Sequence, residues 1–194
     1  LKIRATDQLA GSIPTVTALV EGRKVWLWDG LSTTSPNFGT AEVFSDNNAW
    51  CALDLLLNKE YGIGRSGRMT LDQIDLNSFA DWADLCDELV DDGRGGTRKR
   101  AVCNAIFDSV GSAWQSFLDI ARGAWAEPYI AAGKVRLALL ADSEPVFLVG
   151  GGNSREVTIT TLGRSQRPNS VEVQYFNEEA NYDADSAKRV DEAS

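Results

Sequence analysis

Three cysteines, a spaced set of aspartates and two glycine clusters are the residues of this chain whose types could do chemistry. The cysteines stand at 51, 86 and 103. Their spacing matches neither a zinc pattern nor a CxxC redox pair. Each lies among apolar residues, where a free thiol acts as a small hydrophobe. Cys51, Cys86 and Cys103 therefore read as reduced core cysteines, and an odd number opposes a secreted disulfide framework. Histidine is absent from the 194 residues. That removes the commonest general base, the Ser-His and Cys-His nucleophile systems, and every metal site that needs imidazole. Asp81, Asp84 and Asp87 recur three apart, which would put carboxylates along one face of a helix. This pattern reads as a solvated face, because a glycosidase needs two carboxylates across a cleft.

The glycines do not hold phosphate. Gly93-Arg94-Gly95-Gly96 follows a helical pattern and precedes a strand-like one, the reverse of a phosphate loop. Gly62-Ile63-Gly64 fails too, since no helix clearly opens at Gly67, where a third glycine would fall. Asp91-Asp92-Gly93 lacks the downstream glutamate of a calcium loop. No catalytic residue, cofactor site or metal-ligand set is assigned.

The elements that would carry these residues follow from periodicity. Residues 1–44 look mostly β, with strands over Ile13–Val20 and Lys24–Trp28 and a polar loop over Leu31–Thr40. A helix opens near Asp46 or Asn47, either suited to an N-cap. It carries Ala49, Trp50, Leu53, Leu56 and Leu57 at helical spacing and stops near Tyr61–Gly64. A second helix spans about Leu76–Val90, with Leu76, Phe79, Trp82, Ala83, Cys86, Leu89 and Val90 as its stripe. Lys99–Phe107 reads as a strand. A third helix follows Asp108 or Ser109, with Trp114, Phe117, Ile120 and Ala121 inward. Tyr129–Ala131 and Lys134–Leu140 form a hairpin around Ala132-Gly133. Strands are expected at Val146–Val149, Val157–Thr161 and Ser170–Phe176, and a polar, poorly ordered tail at the end. The class is α+β, with antiparallel β segments at both ends flanking a three-helix centre. No internal repeat is present.

Composition agrees with a soluble globular chain: 43% hydrophobic and 24% charged, with a formal net charge of −9. Such acidity opposes phosphate binding, so stable nucleic-acid binding is not expected. No run of 18 apolar residues occurs, so no membrane segment is expected. Leu1–Ala5 starts without Met and already reads as strand, as expected of a piece of a longer polypeptide.

Three stretches carry information together: Asp46–Gly64; Cys86–Gly96 followed by Arg100–Asn104; and Arg167–Tyr175. In this order they resemble the central region of the phage tail tip protein family, the family of the host-specificity (tip attachment) protein J of lambda-like phages. The resemblance covers roughly residues 13–185. Asn48 stands where the family usually has Pro, and Asp92 where Pro often precedes the glycine turn.

The resemblance implies a tail-hub-like fold and a scaffold role. Three copies would close the distal end of the tail tube and carry receptor-binding parts located outside this segment. The implied partners are further copies of itself, as a homotrimer, neighbouring tail tip and tail tube proteins, and a host receptor reached through those other parts. The implied location is the virion tail tip, with host cytoplasm during assembly. On this reading 1–44 is a β segment continuing from a preceding hub domain, and 45–140 the central α+β hub domain. Residues 141–185 would complete that domain, and 186–194 would be a disordered tail.

The motif residues are read as fold-defining. Trp50 would anchor the first helix in the core, where burial of a large aromatic contributes about 1.5–3 kcal/mol. Asp54, one turn on, would cap or pair locally, and Tyr61 belongs to the same motif. Gly62, Gly64, Gly93, Gly95 and Gly96 would supply positive φ at helix exits. Cys86, Asp87 and Cys103 complete the set. The alternative reading is a receptor- or carbohydrate-binding module, for which exposure of Trp26, Trp28 or Trp125 would be the supporting feature.

Overall fold

The computed structural model describes residues 20, 22–93, 95–107, 112–142, 145, 147–150, 152–156, 158, 160–161, 163, 168–177, 180 and 183–190. The chain divides into two compact units, Leu1–Ser143 and Glu144–Ser194.

In the first unit a short antiparallel pair comes first, β1 (Lys24–Val25) with β2 (Val43–Phe44). The strand expected at Lys24–Trp28 is thus confined to two residues, and the one at Ile13–Val20 lies outside the described residues except for Val20. Helix α1 covers Asn48–Leu57 with Asn47 as N-cap, its side chain accepting from the Ala49 N–H. It ends earlier than the glycines suggested. Asn58 Oδ1 accepts from the backbone N–H groups of Glu60 and Tyr61, and such local bonds compete with the helix ladder.

Helix α2 covers Leu76–Asp87 and buries Leu76, Phe79, Trp82, Ala83 and Cys86 on one face. The expected continuation to Val90 is a strand instead. β3 (Leu89–Asp91) pairs antiparallel with β4 (Thr97–Lys99), so Val90 faces Arg98 across a ladder. The strand expected over Lys99–Phe107 contributes only Lys99 to that pair. Beyond it the backbone is tied to helix ends: Arg100 N–H donates to Glu88 O at 2.8 Å, Ala101 to Cys86 O at 3.2 Å and Cys103 to Asp46 O at 2.6 Å. Helix α3 covers Ala113–Gly123 with Ser112 at its N-cap. The starts expected at Asp108 or Ser109 lie outside the described residues. The hairpin of β5 (Ala126–Ala131) and β6 (Lys134–Leu139) turns at Ala132 and Gly133, both with positive φ, as tight hairpins require.

The helices pack α1 on α2 and α3, and the hairpin lies on α2 through β6 and on α3 through β5. Trp82, Phe79, Phe117, Leu53 and Leu56 are fully buried. Trp82 Nε1 donates to the Ala124 carbonyl at 2.9 Å, which satisfies the polar atom of a buried indole. Trp50 packs against this core only half-buried. Trp82, expected on the inward stripe of α2, is the fully buried tryptophan, and Trp50 joins the core from its edge.

In the second unit β7 (Ser170–Asn177) and β8 (Asp183–Val190) form an antiparallel hairpin paired over eight residues of each strand. β8 runs to Val190, so the stretch expected to be a disordered tail is strand over most of its length; 191–194 lie outside the described residues. At the described positions within 146–149 and 157–161 no strand forms. Among the described residues the α+β class, with antiparallel pairs at both ends flanking three α-helices, is as the sequence implied.

Candidate functional site

Cys86, Asp87 and Cys103 of the motif set meet at the N-terminus of α1. A helix start leaves four backbone N–H groups without intrahelical partners. Here Asn47 Oδ1 accepts from Ala49 at 2.9 Å, and the Cys86 sulfur faces the N–H groups of Asn48 and Ala49. The other end of the Asn47 amide reaches α2. Nδ2 donates to the Ala83 carbonyl at 3.0 Å and to Asp87 Oδ2 at 2.9 Å. Asp87 also pairs with Lys99 of β4 at 2.9 Å, and Lys99 Nζ bonds Asp46 Oδ1 at 2.8 Å. Asp46, Asn47, Asp87 and Lys99 thus close one network across α1, α2 and β4.

Two thiols sit beside it. Cys51 Sγ donates to the Ser45 carbonyl at 3.4 Å, and Cys103 is fixed by its backbone bond to Asp46. Cys51 and Cys103 influence each other's ionisation, which lowers the pKa of Cys103 and raises that of Cys51 far above the thiol range. Cys86, in a fully buried environment, is pushed up to about 11, first by desolvation and then by the charge of Asp87. The Lys99 pKa rises through its hydrogen bonds to Asp46 and Asp87. Among the described residues no cluster of His, Cys, Asp or Glu could hold a metal ion.

Asp54 and Tyr61 lie at a second feature. The Tyr61 hydroxyl donates to Asp54 Oδ2, and Arg23 stacks over the Tyr61 ring with its guanidinium carbon 4.5 Å from the centroid. Burial, followed by the Asp54 contact, raises the Tyr61 pKa. Asp54 also borders a cleft of about 360 Å³ lined by Trp26, Phe38, Leu53, Leu57 and Leu71. Trp26 is 40% exposed and Trp125 43% exposed, whereas Trp28 is buried at 6%. Trp125 also has a positive φ of 56°, a backbone position that bulky residues rarely occupy.

The glycines divide by cause. Gly93 and Gly95 have φ of +75° and +88° in the β3–β4 turn. Gly62, Gly64 and Gly96 do not adopt positive φ. A Cβ on Gly62 or Gly64 would strike the carbonyls at the end of α1, and one on Gly96 would strike the Asp92 carboxylate. Close approach to backbone, not handedness, excludes side chains at Gly62 and Gly64, whereas at Gly96 the Asp92 side chain would have to give way.

Of the sequence-derived set, Cys86, Asp87 and Cys103 converge on the junction, Asp54 and Tyr61 on the cleft, and Gly93, Gly95 and Gly96 on the turn. Trp50 belongs to neither feature's hydrogen bonds. Sequence reading missed Asp46 and Lys99 as partners. Nothing in periodicity links residues 53 positions apart.

No family model matches this chain. It is 35% identical over 79 residues to tip attachment protein J of Escherichia phage SECphi27, covering 41% of this chain and 6% of that protein. It is 30% identical over 118 residues to tip attachment protein J of Escherichia phage SECphi4, covering 57% of this chain and 10% of that protein. These relatives bear out the resemblance to the phage tail tip protein family that the three motifs carry. The chain spans about a tenth or less of the length of either relative.

Proposed function

We propose that this chain is a non-enzymatic structural segment of a phage tail tip protein, from its central hub. In the assembled virion three copies would close the distal tail tube and bear the receptor-binding parts carried elsewhere in the polypeptide. Neighbouring tail tip and tail tube proteins are the other partners, and assembly takes place in host cytoplasm. The observation that carries this reading is the junction. Motif residues Asn47, Cys86 and Asp87 lie at this junction, where together with Lys99 they tie helix ends together. Buried amides and lysine–carboxylate ties of this kind fix one arrangement of elements, which is what a repeated wall segment needs. On this reading Trp50, Asp54, Tyr61 and the motif glycines define the fold and contact no ligand. Light scattering on a longer polypeptide with both flanking regions tests it: a trimer is expected, and a clean monomer overturns it.

The cleft favours one second reading, a binding module. Its volume lies within the range of small-ligand sites, with aromatic walls and one carboxylate. Glycan and receptor binding by the intact chain, compared with Trp26→Ala, decides it. Binding that vanishes with Trp26 supports this second reading, and no binding by the intact chain removes it.

A further inference from the structure

We propose that the cleft beside Asp54 is a docking site for an arginine side chain presented by a neighbouring protein, its guanidinium on the Asp54 carboxylate and its stem along the leucine wall. Five of the six side chains that line the cleft are hydrophobic, Trp26, Phe38, Leu53, Leu57 and Leu71, and Asp54 alone among them is charged. Local ties hold the walls. The loop leading to Phe38 is closed at its base: the Asp29 N–H donates to the Asn37 carbonyl at 3.0 Å, and the Asn37 amide to Asp29 Oδ2 at 2.8 Å. Leu71 follows Thr70, whose N–H donates to Gln73 Oε1 at 3.0 Å. The carboxylate is held from both sides. Asn58 Nδ2 donates to Asp54 Oδ1 at 3.4 Å, and the Tyr61 hydroxyl donates to Oδ2. Each oxygen has a further lone pair, so the group is oriented and keeps acceptor capacity.

The lining selects the occupant. A sugar would leave most of its hydroxyls against apolar walls, which is costly. An anion would meet the Asp54 charge. A cation on an apolar stem is matched at both ends. Arginine fits best, because its guanidinium stacks on an aromatic face as well as pairing with a carboxylate, and its stem covers apolar surface. Trp26 is 40% exposed and so within reach of a partner. Arg23 of this chain is engaged elsewhere, over the Tyr61 ring and 3.7 Å from Glu60. The net charge of −9 favours the approach of a basic surface. The inference rests on the structural-segment reading for its source, a neighbouring protein, and gives Asp54 a contact beyond its place in α1.

The test titrates acetyl-arginine amide and its neutral isostere, acetyl-citrulline amide, into the intact chain, read by the NMR shifts of leucine methyl and indole groups. Saturable shifts at Trp26, Leu53 and Leu57 are expected, with a dissociation constant on the order of millimolar. The citrulline compound should bind roughly tenfold more weakly, for want of the charge-assisted bond. Asp54→Asn should bind the two alike, and its own spectrum reports whether the fold is kept. Equal affinities in the unaltered chain, saturation at other residues, or no saturation would each overturn the assignment. So would self-association of the chain that acetyl-arginine amide reverses, since that places the arginine on a second copy. Because the charge comparison is made on the unaltered sequence, a variant that fails to fold does not obscure it. A trimer of the longer polypeptide without arginine selectivity leaves the hub reading standing and removes this one. Selectivity in a monomeric longer polypeptide keeps the site and removes the hub.

Discussion

The buried amide of Asn47 donates to the carbonyl of Ala83 at 3.0 Å, joining the cap of one helix to the backbone of another. The same side chain accepts from Ala49 and donates to Asp87. Removing it should cost the cap and both donated bonds, and leave Asp87 to Lys99. Asn47→Ala is expected to destabilise by about 2–3 kcal/mol. Asn47→Asp keeps the cap acceptor but sets a second carboxylate against Asp87, and should be no better than the alanine. Urea unfolding of the three proteins measures this, and an Asp variant as stable as the parent would refute the donor role.

Lys99 gives the junction a pH signature. Its folded pKa is raised above the ordinary 10.5 by the hydrogen bonds to Asp46 and Asp87. A group raised on folding stabilises fully below its unfolded pKa and loses that contribution as pH climbs through the folded value. The Lys99 contribution should therefore be constant from neutral pH to about 10 and decline above 10.5. Its side chain is 39% exposed, so the pair is screened and worth about 1 kcal/mol or less. Stability of the parent minus that of Lys99→Met, followed from pH 7 to 11.5, should shrink only at the alkaline end. A difference that grows there would contradict the assignment.

Legibility in the sequence stops where partners are distant. The apolar stripe of α2 from Leu76 to Cys86 was readable because helical period reports which face is buried. The Ala132-Gly133 turn was readable because short hairpins have local turn chemistry. Period does not report what a face meets, so the Asp46–Lys99 tie had no signal. Composition misled at the end of the chain. Residues 186–194 were expected to be disordered, yet Ser186–Val190 pairs with β7 and sets Lys188 directly opposite Glu172. Backbone pairing and opposite-charge partners supply there what apolar residues do not. Leu89 shows the converse error: it falls on the α2 stripe by spacing but is 65% exposed, since the chain has already left the helix for β3.

Gly62 and Gly93 should respond differently to one added methyl group. At Gly93 the cost is conformational, since φ is +75° and the space around it is open. Gly93→Ala is expected to cost about 1 kcal/mol. At Gly62 the backbone is ordinary but a Cβ would collide with the Leu55 and Asn58 carbonyls. Backbone atoms at the end of a packed helix cannot move aside cheaply, and Gly62→Ala should cost about 2–3 kcal/mol. Thermal or urea unfolding ranks the two, and the reverse order would show that the loop after α1 yields more easily than its packing implies.

Asn48 offers a change in the stabilising direction. It occupies the first position of α1, is 6% exposed, and its Oδ1 is buried without a hydrogen-bond partner. Proline suits this position because its φ is already helical and the N–H it lacks has no partner in the ladder. The preceding residue must then be extended, and Asn47 already is, with φ −76° and ψ 125°. The N–H that would be lost faces only the Cys86 sulfur, a weak acceptor. Asn48→Pro removes the unsatisfied oxygen and restricts the unfolded chain, so a gain of about 1 kcal/mol is expected. Paired with Cys86→Ala it separates the two contributions. If the sulfur matters as an acceptor, proline should gain more in the Cys86→Ala background than in the parent, and equal gains would mean that the lost N–H···S contact is worth nothing measurable.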